Sequence, residues 1–159
     1  MGATQMTILA LDQSTKHTGW AFFNDDNLVK SGVINSNPKS NSYDRMHQMH
    51  TAIRDLIDDL SPAAVAFEQV QFQSNYKVYS QLSQMQGIVL SILFDAGIPF
   101  CIIEPSSWKS FAGIEGRKRE VQKENTINKA YEVYGVSVSE DEADAIFIGY
   151  WAINNFKEI

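Results

Sequence analysis

Four acidic residues occupy positions where a charge is costly unless something compensates it. Asp12 closes the apolar run Ile8-Leu9-Ala10-Leu11, and Glu68 closes Ala63-Ala64-Val65-Ala66-Phe67. Asp141 and Asp144 stand one helical turn apart in Ser139-Glu140-Asp141-Glu142-Ala143-Asp144-Ala145. An acid at the end of a buried strand loses hydration and needs a compensating partner. Two strand ends and an i,i+3 acid pair can bring four carboxylates around one point. Such an oxygen-rich set suits hard divalent cations, and two cations about 3.5–4 Å apart suit phosphodiester hydrolysis. Asp141 by itself has a simpler explanation, because the first helical turn favours an acid by about 0.3–1 kcal/mol. Asp144 does not, since it falls amid Ala143, Ala145, Ile146 and Phe147.

The chain has 159 residues and a net charge of −6. An acidic total argues against a generic nucleic-acid binder, which usually presents a basic surface. The distribution softens this. Between Lys109 and Lys129, six basic residues (Lys109, Arg117, Lys118, Arg119, Lys123, Lys129) face three acids (Glu115, Glu120, Glu124). Taken alone, the segment also reads as a solvated helix face. Hydrophobic residues make up 44% and charged residues 20%, the balance of a folded globular chain. No apolar run is long enough for a membrane span, and the first residues lack the basic and apolar regions of a secretory leader. The lone Cys101 excludes an internal disulfide, reads as a small buried apolar residue and fits a reducing, cytoplasmic setting. His47 and His50 read as surface residues, and His17 as an exposed loop residue. Tyr76, Tyr79 and Trp108 are the right type to stack on bases, but such residues are more often core or interface.

The pattern of apolar positions sets the frame that would carry these residues. Strands are expected at 7–11, 19–23, 28–34, 63–67 and 99–103. The turn Asn24-Asp25-Asp26-Asn27 joins the second and third, so the first three form an antiparallel meander. Helices are expected at about 43–60, 75–96, after Pro105, 117–134 and from about Glu140 onward. Met46, Met49, Ile53, Leu56, Ile57 and Leu60 mark the inner face of the first, and Val78, Leu82, Met85, Val89, Ile92 and Leu93 that of the second. Ser139 and Glu142 read as a capping box at the start of the last helix. The expected fold is α/β: one domain over 1–159, with a mixed five-stranded sheet, a three-strand meander plus two parallel strands, and helices on both faces.

These motifs resemble those of the RuvC-type Holliday-junction resolvases. Ile8-Leu9-Ala10-Leu11-Asp12-Gln13-Ser14-Thr15-Lys16-His17-Thr18-Gly19-Trp20 is similar to the first motif of that family, and Val65-Ala66-Phe67-Glu68-Gln69-Val70 to the second. Asp141-Glu142-Ala143-Asp144-Ala145-Ile146 is similar to the last, and Pro105 through Val121 to the basic segment between. The resemblance implies a ribonuclease-H-like fold, a homodimer and two magnesium or manganese ions per active site. It implies cutting of four-way DNA junctions by paired nicks that leave 5′-phosphate and 3′-hydroxyl ends, a reaction of DNA recombination and repair. The metal-binding acids match Asp12, Glu68, Asp141 and Asp144, with Asp12 as the bridging ligand. The basic residues near the scissile phosphate match Lys109 and Lys118, with Arg117 and Arg119 adjoining, and Lys118 would stabilise the pentacovalent phosphate. The aromatic that stacks on an unpaired base has Gln71 at its matching position and Phe72 one residue later, with Tyr76 beyond. The first motif departs from the family's usual Asp-Pro-Gly by reading Asp12-Gln13-Ser14.

Other readings stay open at this level. Leu11-Asp12-Gln13-Ser14-Thr15 also resembles the phosphate-binding turn of the actin-like and sugar-kinase ATP-users, which need two such domains. A non-catalytic module that binds branched nucleic acid is a second. A nuclease acting on flaps, forks or RNA-containing hybrids is a third.

Overall fold

The computed structural model describes residues 5–156. Five strands, β1 (Thr7–Asp12), β2 (His17–Asn24), β3 (Asn27–Asn35), β4 (Ala64–Glu68) and β5 (Phe100–Ile103), form one sheet in the order β3-β2-β1-β4-β5. The first three pair antiparallel, and β1·β4 and β4·β5 pair parallel. The helices are α1 (Ser42–Leu60), α2 (Tyr76–Ala96), α3 (Pro105–Ala112), α4 (Arg119–Tyr134) and α5 (Glu140–Asn155). Element order and strand directions agree with the sequence expectation. α4 starts later than expected because Lys118 is its extended N-cap residue.

Why β1 is an unbroken apolar run follows from its place in the sheet. Ile8 and Ala10 pack into the core beneath α3, α4 and α5, while Leu9 and Leu11 pack into the core beneath α1 and α2. Side chains alternate across a strand, so a strand covered on both faces must be apolar at every position. β4 behaves alike, with Ala64 and Ala66 on one side and Val65 and Phe67 on the other. Fully burying each larger side chain contributes about 1.5–3 kcal/mol. Met46, Met49, Ile53 and Ile57 seat α1, and Met85, Val89, Ile92 and Leu93 seat α2. The expected α2 stripe is only partly core: Val78 is exposed and Leu82 half-buried, because the first turns of the helix run past the packed layer. Gly97 ends α2 in the left-handed region at φ 66°. Cys101 is half-buried rather than buried, and burial pushes its thiol up to about 12.

α5 positions half of the acid set. Its inner face uses small residues, Ala143, Ala145, Gly149 and Ala152, around Ile146, Phe147 and Ile148. Two glycines permit its close approach. A Cβ on Gly149 would run into the Phe23 ring, and one on Gly19 would run into the Asp141 carbonyl oxygen. Ser139 caps α5 by accepting from the Glu142 N–H at 3.4 Å. The reciprocal half of the expected capping box is absent among the described residues. The Glu142 carboxylate accepts instead from the Ser31 hydroxyl of β3 at 2.6 Å, which ties the helix to the sheet. Among the described residues, no helix is long and apolar enough to cross a membrane.

The Gly19 contact makes a direct prediction. Gly19→Ala forces backbone apart where side chains cannot yield, so the variant should lose about 1–3 kcal/mol. Urea denaturation measures this, and an unchanged midpoint would show that the α5 terminus is not seated on β2.

Candidate active site

β1 and β4 are adjacent and parallel, with Leu11 opposite Phe67. The next residues, Asp12 and Glu68, therefore leave the sheet at the same level, where both strands end. Asp12 is also the register partner of Gly19, the residue against which the Asp141 backbone packs. Three close backbone relations thus bring the two strand ends and the first turn of α5 to one place. Asp12, Glu68, Asp141 and Asp144 all line a single open cleft. Lys109 from α3, Arg119 from the first turn of α4 and Arg117 from the turn before it line the same cleft.

The electrostatics report crowding. Burial pushes the Asp12 carboxyl well above its usual range, and Glu68, Asp144, Asp141 and Glu140 push it further in the same direction. Asp144 is raised to about 7, by burial first and Glu68 next, with Lys109 opposing. Asp141 is raised by burial and Glu140, against His17, Lys123 and Arg119. Glu68 is raised by burial, against a hydrogen bond from Trp108 and the charges of Lys109 and Arg119. Desolvation and like charge act together on every member of the set. Among the described residues, the carboxylates of Asp12, Asp141 and Asp144 accept no hydrogen bond, and none of the four is ion-paired. The ion pair that does form, Lys123 to Glu140 at 2.8 Å, uses a different acid.

An all-oxygen donor set with no direct ion pair fits a hard divalent cation. Among the described residues, no group of three or more His, Cys, Asp or Glu is already drawn into a ligand cage. The carboxylates face a shared cleft from separate backbone segments.

Other expected residues lie elsewhere. Lys118 is exposed at the N-cap of α4 and is not among the residues lining the cleft. Phe72 and Tyr76 are 82% and 78% exposed and stand outside it, although Gln71 and Gln73, which flank Phe72, line its wall. Phe72 packs edge-to-face on Tyr79 at 5.5 Å. His47 and His50 sit on α1 with rings 6.4 Å apart, away from the cleft.

Three residues matter more than the sequence suggested. His17 begins β2 and lines the cleft, with Nδ1 2.6 Å from the Asn35 side-chain oxygen. Trp108 is fully buried and cannot stack on a base; its indole N–H donates to Glu68 Oε2 at 2.7 Å. Gln13 is 6% exposed, and its amide N–H donates to the Glu68 backbone oxygen at 2.7 Å. Nothing in the sequence around Trp108 signals this contact, because Ser106, Ser107 and Ser110 offer uncharged acceptors closer in the chain.

Comparison with known proteins agrees with this architecture. The family described as "Lactococcus phage M3 protein" matches residues 5–155. A relative named crossover junction endodeoxyribonuclease RuvC, from Roseiflexus sp. (strain RS-1), is 27% identical over 151 residues, covering 91% of this chain and 89% of its own. One of the same name from Halothermothrix orenii is 24% identical over 156 residues, covering 96% and 94%. Among solved structures, T. thermophilus RuvC in complex with Holliday junction substrate superposes with a TM-score of 0.74 at 18% identity, covering 94% of this chain and 96% of that one. Fowlpox virus resolvase in complex with Holliday junction DNA gives 0.66 at 15% identity, covering 96% and 100%. The sheet is therefore of the ribonuclease-H-like kind found in RuvC. Its curated relatives are named as RuvC and its fold is the one RuvC shares; by its match over residues 5–155, the chain belongs to the family described as Lactococcus phage M3 protein.

Proposed function

We propose that this chain, acting as one nuclease domain over 1–159, is a divalent-metal-dependent endodeoxyribonuclease that resolves four-way DNA junctions by paired nicks. The observation that carries the reading is the gathering of four unpaired carboxylates in one cleft whose wall is basic. The curated relatives' names support the junction as substrate.

Asp12, Glu68, Asp141 and Asp144 would hold two magnesium or manganese ions, with Asp12 the most rigidly placed of the four because it ends a central strand. Bound there, the ions would supply Lewis acidity at the attacking water and at the leaving 3′ oxygen. The chain's own groups do the positioning. Lys109 lines the cleft and acts on Glu68 and Asp144, so it is better placed than Lys118 to meet the scissile phosphate. Arg117 and Arg119 extend the basic wall along the incoming strand. Lys118, exposed one residue before α4, meets DNA further out. Phe72 projects at the rim and stacks on a base freed at the branch point, with Tyr76 beside it. Paired nicks need two such sites, hence a homodimer. Hydrolysis leaves 5′-phosphate and 3′-hydroxyl ends, within a cytoplasmic, DNA-associated setting.

The cleavage test uses a synthetic four-way junction, a Y-fork and a linear duplex with magnesium or manganese. Asp12→Asn and Asp144→Asn should each reduce junction nicking by about a hundredfold or more, the scale of the several kcal/mol a metal contributes. Junction binding should persist in both. Equal cutting of the linear duplex refutes junction selectivity, and preferred cutting of the fork moves the reading to replication intermediates.

Stability should carry the same charge signature. Asp144 binds its proton more tightly when folded, at about 7, than at its ordinary 3.8. Its contribution is therefore fully present below 3.8 and lost as pH rises through about 7. In chelator, the melting temperature should fall between pH 3.8 and about pH 7, and Asp144→Asn should flatten the slope. Manganese at the higher pH should restore it by binding the folded state. A melting temperature that rises over that interval contradicts the crowded-acid description.

A further inference from the structure

We infer that Trp108 and Gln13 are positioning residues: together they clamp Glu68, one holding its carboxylate and the other its backbone, and so set its place relative to Asp12. The inference rests on the metal-nuclease reading above.

The geometry of the clamp is two-sided. Trp108 lies on α3, which leaves the sheet directly after β5, the strand whose Ile103 pairs with Glu68. The helix turns back so that the indole N–H meets Glu68 Oε2 at 2.7 Å. Trp108 is fully buried among Ala66, Ile103 and Ala112, so the donor has no freedom to follow the carboxylate; the carboxylate must follow it. Gln13 acts from the other strand. Its amide N–H reaches the Glu68 carbonyl at 2.7 Å, one step beyond the last β1·β4 register pair, Leu11 and Phe67. The side chain thus adds a rung to the ladder at the level of the two strand-end acids.

The chemistry of the donors fits positioning rather than neutralisation. An indole N–H is a donor only, carries no charge and does not titrate. It occupies one carboxylate oxygen and leaves the other for a ligand. A lysine or arginine there would satisfy the same oxygen but would oppose cation binding. Gln13 has a cost of its own. Its Oε1 is buried without a partner among the described residues, so the residue is retained for the bond on the other side of its amide. Groups that orient a metal ligand typically change metal affinity by about 10–100-fold when removed.

The test compares the full-length parent with Trp108→Phe, which keeps an aromatic ring without the donor, and with Gln13→Met, which keeps length without the amide. Manganese is titrated against each protein without DNA, followed by thermal melting, and then against junction cleavage. The manganese midpoint should rise about tenfold in each variant, by both measurements, and saturating manganese should restore cleavage. A variant that melts lower but keeps the parent's manganese midpoint shows a packing role only and overturns the clamp. If Trp108→Phe fails to fold, Gln13→Met decides in the same way. No manganese response in the parent overturns the nuclease reading and the clamp with it, whereas a parental response shared by both variants overturns the clamp alone.

Discussion

Mutual repulsion among Asp12, Glu68, Asp141 and Asp144 is the constraint the rest of this fold has to withstand. Each acid is raised in proton affinity by burial first; Asp12 and Asp144 are raised further by others of the set, Glu68 by Glu104 and Asp141 by Glu140. Burial strengthens repulsion between like charges, because less water screens them. The carriers are correspondingly rigid. Two acids end the innermost strands of the sheet, each buried on both faces. The other two ride a helix hooked to the sheet by Glu142 and Ser31 and pressed onto Gly19. Local cost at a site, offset by packing elsewhere, is the usual mark of a functional constellation.

The placement of positive charge follows the same logic. Lys109, Arg117 and Arg119 line the cleft but pair with none of the four acids; Lys109 Nζ instead contacts Gln122 at 3.3 Å. Lys123 closes on Glu140, which lies one residue before the acid pair. The basic groups thus moderate the acids from a distance and leave the carboxylate oxygens open. A tight salt bridge to Asp12 or Asp144 would have been better for folding and worse for binding a cation. Among the described residues, the one donor that reaches a side chain of these four acids, Trp108, is neutral.

Much of this was legible in the residues. Unbroken apolar runs marked the two central strands, and an acid at the end of each made their adjacency meaningful once they were read as parallel neighbours. What escaped was decided by tertiary contact. Trp108 reaches an acid 40 residues away only because α3 folds back over β5. Glu142 had the right spacing for a capping box, yet a hydroxyl from β3 claimed its carboxylate. Lys118 looked equivalent to its basic neighbours, yet Arg117 and Arg119 line the cleft and Lys118, the N-cap residue between them, does not. Val78 continued the α2 stripe in sequence, while the core beneath that stripe had already ended.

The two borders of the sheet bear on self-association. β3 forms one border, with Lys30 midway along it and an irregularity in its pairing where β2 passes from Phe22 to Phe23. The other border, β5, is only four residues long. Charged, bent or very short borders resist extension by a foreign strand. A continuous sheet running from one copy into the next is therefore disfavoured at both ends. In the proposed homodimer, contacts between copies would fall to the helical flanks and leave the mouth between β1, β4 and α5 clear for a substrate as bulky as a duplex.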